Sequence, residues 1–345
     1  MQAVTLIPRT PGSLRLDDVP APKAKKGELL VKALAVGVCG TDRELLEGRY
    51  GEAPEGEERL VIGHESLGRV LEAPAGSGFA AGDRVVGIVR HPDPVPCANC
   101  AVGEWDMCSN GLHTEHGIRG LHGFLREAFP IEPGLCVKVE PSLGRAAVLL
   151  EPATILAKAW EHVERIGRRA RWTPQRALVT GAGPVGLMAA LMGVQRGLEV
   201  HVKDRNEEGL KPSLVRELGA SYFVEEGEAE YDVVIECTGA PAAIEDAVKR
   251  LARNGIACLT GLSPAPSAVE LEVAPWNQAM VLGNQVVFGS VNANRRHYEA
   301  AAASLARADR GWLERLLTRK VPLRGFEQAY EKRKGEVKTV ILLED

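Results

Sequence analysis

Two adjacent residues with clear chemical potential, His64 and Glu65, stand in the stretch 61–68 (VIGHESLG). Burying either group unpaired in such apolar surroundings costs roughly 2–7 kcal/mol. Cys39 lies upstream in residues 37–42 (GVCGTD), and Glu151 follows far downstream. One thiolate, one imidazole and two carboxylates form the mixed donor set of a catalytic zinc that keeps one position open. The alternative for the His-Glu pair alone is a loop histidine paired with its neighbour for structure.

A second candidate site is the glycine-rich segment 179–186 (VTGAGPVG), which follows a short apolar run and precedes a helical pattern. In a Gly-x-Gly-x-x-Gly motif, Gly181 allows the tight turn, Gly183 lets the backbone approach a pyrophosphate, and Gly186 lets helix and strand pack closely. Asp204 follows about twenty residues later, as expected for a dinucleotide site in a strand–helix–strand unit. The alternative is a glycine-rich turn in another α/β protein.

The choice between NAD and NADP stays open in the sequence. Asp204 can accept hydrogen bonds from the adenosine ribose, which favours NAD, whereas Arg205 could hold a 2′-phosphate and Lys203 adds positive charge. A solvated turn is the alternative for the two cations. The residues expected to contact the cofactor are Gly181, Gly183, Pro184, Val185, Gly186, Asp204, Arg205 and Thr238.

Three cysteines crowd into one segment: Cys97 and Cys100 form a Cys-x-x-Cys pair, and Cys108 follows. This spacing is typical of a structural zinc site, which needs four ligands. The candidates for the fourth ligand are His91, Asp93, His113 and Glu115. The alternative is a loop with free thiols and no metal. The remaining cysteines, Cys136, Cys237 and Cys258, lie in strand-like runs and are interpreted as small core residues.

The order of the elements predicts an α/β protein with two domains. Residues 1 to about 90 read as short strands of a partly barrel-like β domain, with Cys39 and His64 at the ends of neighbouring strands. Residues 145–169 look helical, with a break between two helices at Pro152. From residue 175, strands alternate with helices, which predicts a doubly wound parallel sheet. Residues 337–343 form a candidate edge strand.

Composition narrows the class of protein. A chain of 345 residues exceeds the size at which one core keeps growing. It is 45% hydrophobic and 26% charged with a net charge of −4, which argues against a nucleic-acid partner. No leader or long apolar run is evident, so we expect no membrane anchor and a cytoplasmic location.

The sequence resembles the zinc-dependent medium-chain alcohol dehydrogenases, and within them the glucose 1-dehydrogenase branch. The family likeness rests on residues 37–42, the 63–65 (GHE) motif, the cysteine segment and residues 181–186 (GAGPVG). The likeness to the branch rests on residues 39–44 (CGTDRE), 114–118 (TEHGI), 121–127 (LHGFLRE), 150–152 (LEP) and 291–297 (VNANRRH). It implies a β-rich GroES-like catalytic domain (1–156 and 292–345), a Rossmann domain (157–291) and a dimer or tetramer.

By this resemblance Cys39, His64 and Glu151 hold the catalytic zinc, with Glu65 either as an exchanging ligand or as a carboxylate that supports the ligands from outside. The hydroxyl of Thr41, two residues beyond Cys39, can carry away the proton of the alcohol. The residues expected to contact a sugar are Thr41, Glu115, Glu151, Asn292 and His297. Two departures stand out: Asp93 or Pro94 occupies the region of the first cysteine of many relatives, and Val89 replaces an expected sugar-contacting asparagine.

The sequence therefore predicts an NAD(P)-dependent zinc enzyme that oxidises the C1 hydroxyl of an aldose, most simply glucose to gluconolactone. One alternative is the same chemistry on another polyol or an amino alcohol. The other is a zinc-stabilised nucleotide-binding sensor without turnover.

Overall fold

The computed structural model describes residues 1–225, 229–263 and 272–344. The chain forms two compact units. The first contains Met1–Glu151 and Asn292–Asp345, and the second contains Pro152–Val291. The sequence placed the first boundary five residues later, at 156/157. Pro152 lies in the first turn of a helix that begins at Leu150, where a missing N–H costs no helical hydrogen bond.

The first unit is built mainly from short strands. A 3₁₀ segment, Pro141–Leu149, lies near the end of its N-terminal part, just before the second unit begins at Pro152. Its strands and helices are β1 (Gln2–Leu6), β2 (Arg15–Asp18), β3 (Leu29–Val38), α1 (Gly40–Leu46), β4 (Leu60–Val61), β5 (Glu65–Glu72), β6 (Arg84–Gly87), β7 (Arg90–His91), α2 (Ala98–Ala101), β8 (Thr114–His116), β9 (Gly120–Leu121), β10 (Ala128–Ile131) and β11 (Cys136–Lys138).

The second unit alternates strands with helices. Its elements are α3 (Leu150–Gly167), β12 (Arg176–Thr180), α4 (Pro184–Val194), β13 (Glu199–Lys203), α5 (Leu210–Glu217), β14 (Ser221–Phe223), β15 (Tyr231–Glu236), α6 (Pro241–Lys249), β16 (Leu251–Leu259), α7 (Val273–Gly283) and β17 (Val286–Gly289). The chain then completes the first unit with α8 (Arg295–Ala306), α9 (Arg310–Leu316), β18 (Arg319–Pro322) and β19 (Thr339–Leu342).

Three neighbouring strands of the first unit meet at one end. The main sheet has the order β11-β6-β5-β3-β19-β18, with β10 also paired to β3. Because β3 runs antiparallel to both β5 and β19, Gly37 near its end pairs with Glu65 on one side and with Val340 on the other. Cys39 therefore follows β3 just where His64 precedes β5, as predicted.

The last strand lies inside the sheet, and the prediction that residues 337–343 form an edge was wrong. β19 pairs with β3 on one side and with β18 on the other. Val340 and Ile341 are fully buried, so the strand is held by packing on both faces of the sheet. The chain's C-terminal segment is thus part of the same sheet as β3 and β5.

The second unit is a six-stranded parallel sheet in the order β14-β13-β12-β15-β16-β17. The order reverses between β12 and β15, which defines the point where ligands of open α/β sheets bind. Strand β12 is buried from Ala177 to Thr180, as its apolar run predicts. One assignment was wrong: residues 251–253, expected in a helix, belong to β16, because Leu251 is buried opposite Tyr231.

Several short elements escaped the sequence analysis, two helices among them. The charged segment after Cys39 begins with a short helix, α1, whose capping box joins Cys39 and Asp42. α9 in the C-terminal part was also missed. Among the described residues, no helix combines the length and apolar character needed to cross a membrane.

Close backbone packing fixes the turn that carries His64. Gly63 has φ +87°, and an added Cβ would lie 2.9 Å from the Leu125 Cβ. A Cβ on Gly117 would lie 2.6 Å from the Gly63 carbonyl, and one on Gly123 would overlap the carbonyl groups of the same turn. Neither position can accept a side chain, because the atoms that it would meet belong to the backbone and cannot rotate away.

We therefore expect Gly123→Ala to lower Tm, since overpacking of this kind costs about 1–3 kcal/mol. Gly134→Ala is the matched control, because its Cβ would meet nothing within 4 Å. This control should leave Tm unchanged or slightly raised. Thermal unfolding of both variants checks the expectation, and equal Tm values would contradict it.

Candidate metal and dinucleotide sites

Cys39, His64 and Glu65 form one cluster whose potential ligand atoms all lie within 4.8 Å of one another. The Cys39 Sγ lies 3.1 Å from the His64 Nε2. His64 and Glu65 are 4% and 1% exposed, and the Thr41 N–H donates to the Cys39 sulfur at 3.2 Å. A thiol, an imidazole and a carboxylate at this spacing are suited to a transition metal such as zinc.

Asp42 orients the histidine. One carboxylate oxygen, Oδ2, accepts a hydrogen bond from the Cys39 N–H at 2.9 Å, and the other lies 3.4 Å from His64 Nδ1. Burial lowers the pKa of His64, but the thiol of Cys39 and the carboxylate of Asp42 outweigh it and raise the pKa well above its usual range. A carboxylate on one ring nitrogen leaves the other nitrogen to a metal, as in many zinc sites.

Glu65 is held by a buried lysine, Lys338, that directly precedes strand β19. The ammonium of Lys338 pairs with Glu65 Oε2, and both side chains are at most 2% exposed. Gly37 makes this contact fit, because a Cβ there would overlap the Glu65 carboxylate and lie 2.9 Å from Lys338 Cε. A buried ion pair of this kind tolerates the loss of neither partner.

Glu151 lies beside this cluster without entering it. Burial is the main cause that raises its pKa to about 7; Glu65 adds to the rise, while His64 and Lys338 oppose it. The site thus contains more acidic groups than Lys338 can neutralise. A divalent cation would relieve this imbalance, so the residues present fit a zinc ion.

The predicted sugar contacts fall into two groups. Glu115 Oε1 accepts hydrogen bonds from Asn292 Nδ2 at 2.6 Å and from Arg90 Nε at 3.0 Å. These three residues therefore form one polar network, with Asn292 held at φ +63°. Thr41 stands in the first turn of α1, and its hydroxyl hydrogen-bonds with Tyr50.

His297 and Val89 are both buried. The His297 ring is 0% exposed, and its Nδ1 accepts the Asn294 N–H at 3.1 Å as part of the capping box of α8. Val89 is 3% exposed, and its backbone N–H donates to the Tyr298 hydroxyl at 3.1 Å. The position of the expected asparagine thus belongs to the core.

The three thiols of Cys97, Cys100 and Cys108 also lie within 4.8 Å of one another. Backbone N–H groups of Cys100 and Ser109 lower the pKa of Cys97, which favours the thiolate that metals bind. The described residues bring no fourth Cys, His, Asp or Glu into this cluster. The carboxylate of Asp93 instead accepts from the Val95 N–H and from Asn110.

The glycine-rich turn of the second unit has the predicted geometry. Gly181 has φ +90°, and its Cβ would lie 2.8 Å from the Thr238 methyl group. A Cβ on Gly186 would overlap the Gly181 carbonyl, so only glycine allows α4 to start this close to β12. Gly183 caps α4, with Pro184 at its first position. The N-terminus of an eleven-residue helix therefore faces the end of β12.

Asp204 accepts hydrogen bonds from the glycine-rich turn and from its own loop. Its Oδ2 accepts from Ala182 N–H at 2.7 Å, and its Oδ1 accepts from Arg205 N–H at 2.6 Å and from Asn206. Lys211 Nζ lies 3.7 Å from Oδ2, although a cation in the first turn of α5 is disfavoured by the helix dipole. Burial raises the pKa of Asp204, but these donors outweigh it and lower the pKa.

The neighbouring basic residues differ in role. Lys203, expected to add positive charge to the cofactor site, pairs with Asp246 at 2.8 Å. Arg205 is exposed, and its guanidinium has no ion-pair partner in the part of the chain that the structure describes. Arg205 and Lys211 are therefore the cations beside Asp204.

Comparison with known proteins agrees with this geometry. Residues 25–141 match the family model described as alcohol dehydrogenase GroES-like domain, and residues 144–343 match glucose dehydrogenase C-terminus. Glucose 1-dehydrogenases of Thermoproteus tenax and Methanocella arvoryzae are 41% and 39% identical, each with 99% of both chains covered. The chain belongs to the zinc-dependent medium-chain alcohol dehydrogenases, in the glucose 1-dehydrogenase branch. The predicted family and fold class, a GroES-like domain plus a Rossmann domain, are confirmed.

A solved structure of the same branch covers the whole chain. It is Haloferax mediterranei glucose dehydrogenase in complex with NADP, Zn and gluconolactone, which has a TM-score of 0.90, 32% identity and 100% coverage of both chains. The glucose dehydrogenase fold is therefore retained over both units.

Sequence reasoning missed several residues of this glucose dehydrogenase site. Asp42 belongs to the segment 37–42, and its place three residues after Cys39 is the sequence signal of a capping box. Lys338 carries no local signal, because its partner belongs to a distant strand. Tyr50 and Lys211 likewise became visible only through their contacts with Thr41 and Asp204.

We expect Lys338→Met to destabilise the metal-free protein by about 3–5 kcal/mol, because Glu65 is left buried without a cation. A divalent metal should then stabilise this variant more than wild type, since one positive charge has been removed beside the cluster. Thermal unfolding with and without zinc measures both effects.

Lys320→Met is the control, since that lysine lies on the adjacent strand β18, is exposed, and pairs with Glu314 of α9 at 3.5 Å. It should behave as wild type in both titrations. An unchanged zinc-induced rise in Tm for Lys338→Met would contradict the expectation.

Proposed function

We propose that this chain is an NAD(P)-dependent glucose 1-dehydrogenase. It oxidises the C1 hydroxyl of an aldose to a lactone, transfers the hydride to NADP or NAD, and releases the hydroxyl proton. The observation that carries the proposal is the thiol–imidazole–carboxylate cluster with its surplus of buried acidic groups. Its homologues named glucose 1-dehydrogenase and the neighbour bound to NADP, Zn and gluconolactone support the substrate.

We assign the catalytic zinc to Cys39, His64 and Glu151, with Glu65 as an alternate carboxylate. Zinc held there supplies Lewis-acid polarisation of a sugar hydroxyl. Asp42 keeps the His64 ring oriented. Lys338 pairs with Glu65 and so competes with a metal ion for that carboxylate.

The proton leaves through hydroxyl groups. Thr41 lies beside the Cys39 sulfur, and Tyr50 is its hydrogen-bonded neighbour. Burial raises the pKa of Tyr50 to about 12, so Tyr50 keeps its proton and serves as a hydrogen-bonding hydroxyl near neutral pH. We assign Thr41 as a proton relay: its hydroxyl accepts the sugar proton while it donates its own to Tyr50, whose hydroxyl donates in turn to solvent.

The sugar site requires polar groups away from the metal, because a pyranose presents several hydroxyls. We assign this role to Thr41, Glu115, Glu151, Asn292 and His297. Glu115 and Asn292 support it as one hydrogen-bonded pair, whereas His297 is fully buried at the start of α8. Val89 offers no polar group, which favours a sugar preference different from that of relatives with asparagine there.

A structural zinc at Cys97, Cys100 and Cys108 is part of the proposal. The close approach of the three thiols and the lowered pKa of Cys97 support it. Water or a neighbouring oxygen would have to complete the four ligands of such a site.

Two further assignments concern the whole protein. We propose a homo-oligomer because β17 forms an edge of the six-stranded sheet, and α7 exposes Val281 and Leu282, which are 65% and 62% accessible. We propose a cytoplasmic location because all seven cysteines are free, as expected in a reducing compartment.

The direct test is a spectrophotometric screen of aldoses, polyols and amino alcohols for nicotinamide reduction by the purified protein. Glucose should be oxidised, and His64→Ala should retain almost no turnover while it binds NADPH as wild type does. Turnover of a linear polyol or an amino alcohol but not of glucose, galactose or xylose would overturn the sugar assignment and leave the zinc dehydrogenase assignment in place. Binding of the cofactor without oxidation of any alcohol would favour the sensor.

We further propose a preference for NADP, because both oxygens of Asp204 already accept backbone hydrogen bonds, from Ala182 and from Arg205, while the side chains of Arg205 and Lys211 stand beside it. Arg205→Ala should raise the KM for NADP about tenfold or more, since a charge-assisted contact with the 2′-phosphate contributes about 1.5–3 kcal/mol. The KM for NAD should change little. Arg176→Ala, at the opposite end of β12, is the control. Equal effects on NAD and NADP would place Arg205 away from the phosphate.

A further inference from the structure

Glu236, the last residue of β15, has a fully buried carboxylate that the chemistry above does not use. The described residues place no Lys, Arg or His within ion-pair distance of it. A buried carboxylate without a cation is stabilised only by hydrogen-bond donors. The identity of those donors therefore indicates what Glu236 holds in place.

The donors come from the ends of two strands. Glu236 Oε1 accepts from the Thr180 hydroxyl at 3.1 Å, from the Thr238 N–H at 2.7 Å and from the Thr238 hydroxyl at 2.5 Å. The Gly239 N–H lies 3.1 Å from both carboxylate oxygens. The carboxylate thus binds the turn after β15 to the end of β12.

The surroundings leave no spare volume. A Cβ on Gly261 would lie 2.8 Å from Glu236 Oε2, and a Cβ on Gly239 would overlap the Leu262 carbonyl. The Thr238 methyl group lies against Gly181, the first glycine of the glycine-rich turn. A shift of Glu236 is therefore passed on to Thr238 and to the Gly181 turn.

The position of the Thr180–Glu236 contact in the sheet indicates its function. β12 and β15 flank the point where the strand order reverses, and Thr180 and Glu236 pair at the carboxyl ends of these strands. Ligands of open α/β sheets bind in the crevice at that point. We propose that Glu236 is a positioning residue for the nicotinamide cofactor, which fixes the 237–239 turn against the glycine-rich turn. This inference rests on the dinucleotide site of the proposed function.

Glu236→Gln is the sharpest variant, because it keeps the shape of the side chain. One oxygen remains as an acceptor, whereas the new NH₂ group adds donors to a pocket already lined with N–H and O–H donors. The turn should then lose its fixed conformation. Glu199→Gln is the matched control, since Glu199 is an exposed carboxylate at the opposite, amino end of the neighbouring strand β13.

The experiment measures the Kd for NADPH by fluorescence titration of the zinc-loaded enzyme, together with the KM values for NADP and glucose and the zinc content. For Glu236→Gln we expect the Kd for NADPH and the KM for NADP to rise about tenfold or more. The KM for glucose, the zinc content and all values for Glu199→Gln should stay within about twofold of wild type. Thr238→Val should weaken NADPH binding in the same direction, and its effect should not add to that of Glu236→Gln.

A Glu236→Gln enzyme that binds NADPH as tightly as wild type, with only its Tm lowered, would overturn the inference. If Glu236→Gln does not fold, Thr238→Val decides the question, because an unchanged Kd for NADPH contradicts the inference. Wild type that binds neither NADPH nor NADH would instead overturn the proposed function and this inference with it.

Discussion

The buried pair between Glu65 and Lys338 is the interaction on which the metal cluster of the first unit depends. Two opposite charges removed from water require close contact, since a buried charge without a partner is strongly destabilising. Strands β5, β3 and β19 provide this contact because their ends meet in register at Gly37. Any side chain at position 37 would occupy the space of the Glu65 carboxylate. The sheet and the ion pair therefore require each other.

The ion pair also explains why the first unit is built from both ends of the chain. Lys338 immediately precedes β19, which lies inside the sheet beside β3. The cluster of Cys39, His64 and Glu65 thus acquires its only described lysine from the C-terminal segment. Because Glu151 and Asp42 lie nearby, three carboxylates and the Cys39 thiol face one ammonium and the His64 imidazole, so acidic groups remain in excess. The fold therefore gathers an excess of acidic groups at one place. This excess is a physical reason for a bound cation that the types of ligand residue alone do not provide.

Sequence analysis identified the parts of the site whose signals are local. The glycine-rich turn, β12 and β15 were found because apolar runs and glycine spacing reflect interactions between residues close in the chain. Lys338 was missed because its partner belongs to a distant strand, and residues 337–343 were placed at an edge because an apolar run does not specify its neighbours. His297 illustrates another limit. A histidine near the start of a helix can cap that helix or bind a ligand, and its position in the sequence does not distinguish the two roles. Pro152 was read as a helix break although the first turn of a helix accepts proline.

Two buried glutamates, one in each unit, show how surroundings decide the use of the same side chain. Glu236 is saturated by hydroxyl and amide donors, so its charge is compensated locally and its oxygens are committed to the turn after β15. Glu65 faces one lysine together with other acidic groups, so its charge remains available to a metal. A carboxylate surrounded by fixed dipoles shapes a loop, whereas a carboxylate among other acidic groups attracts a cation. The number and charge of the neighbouring donors thus separate the two roles, although both residues are equally buried.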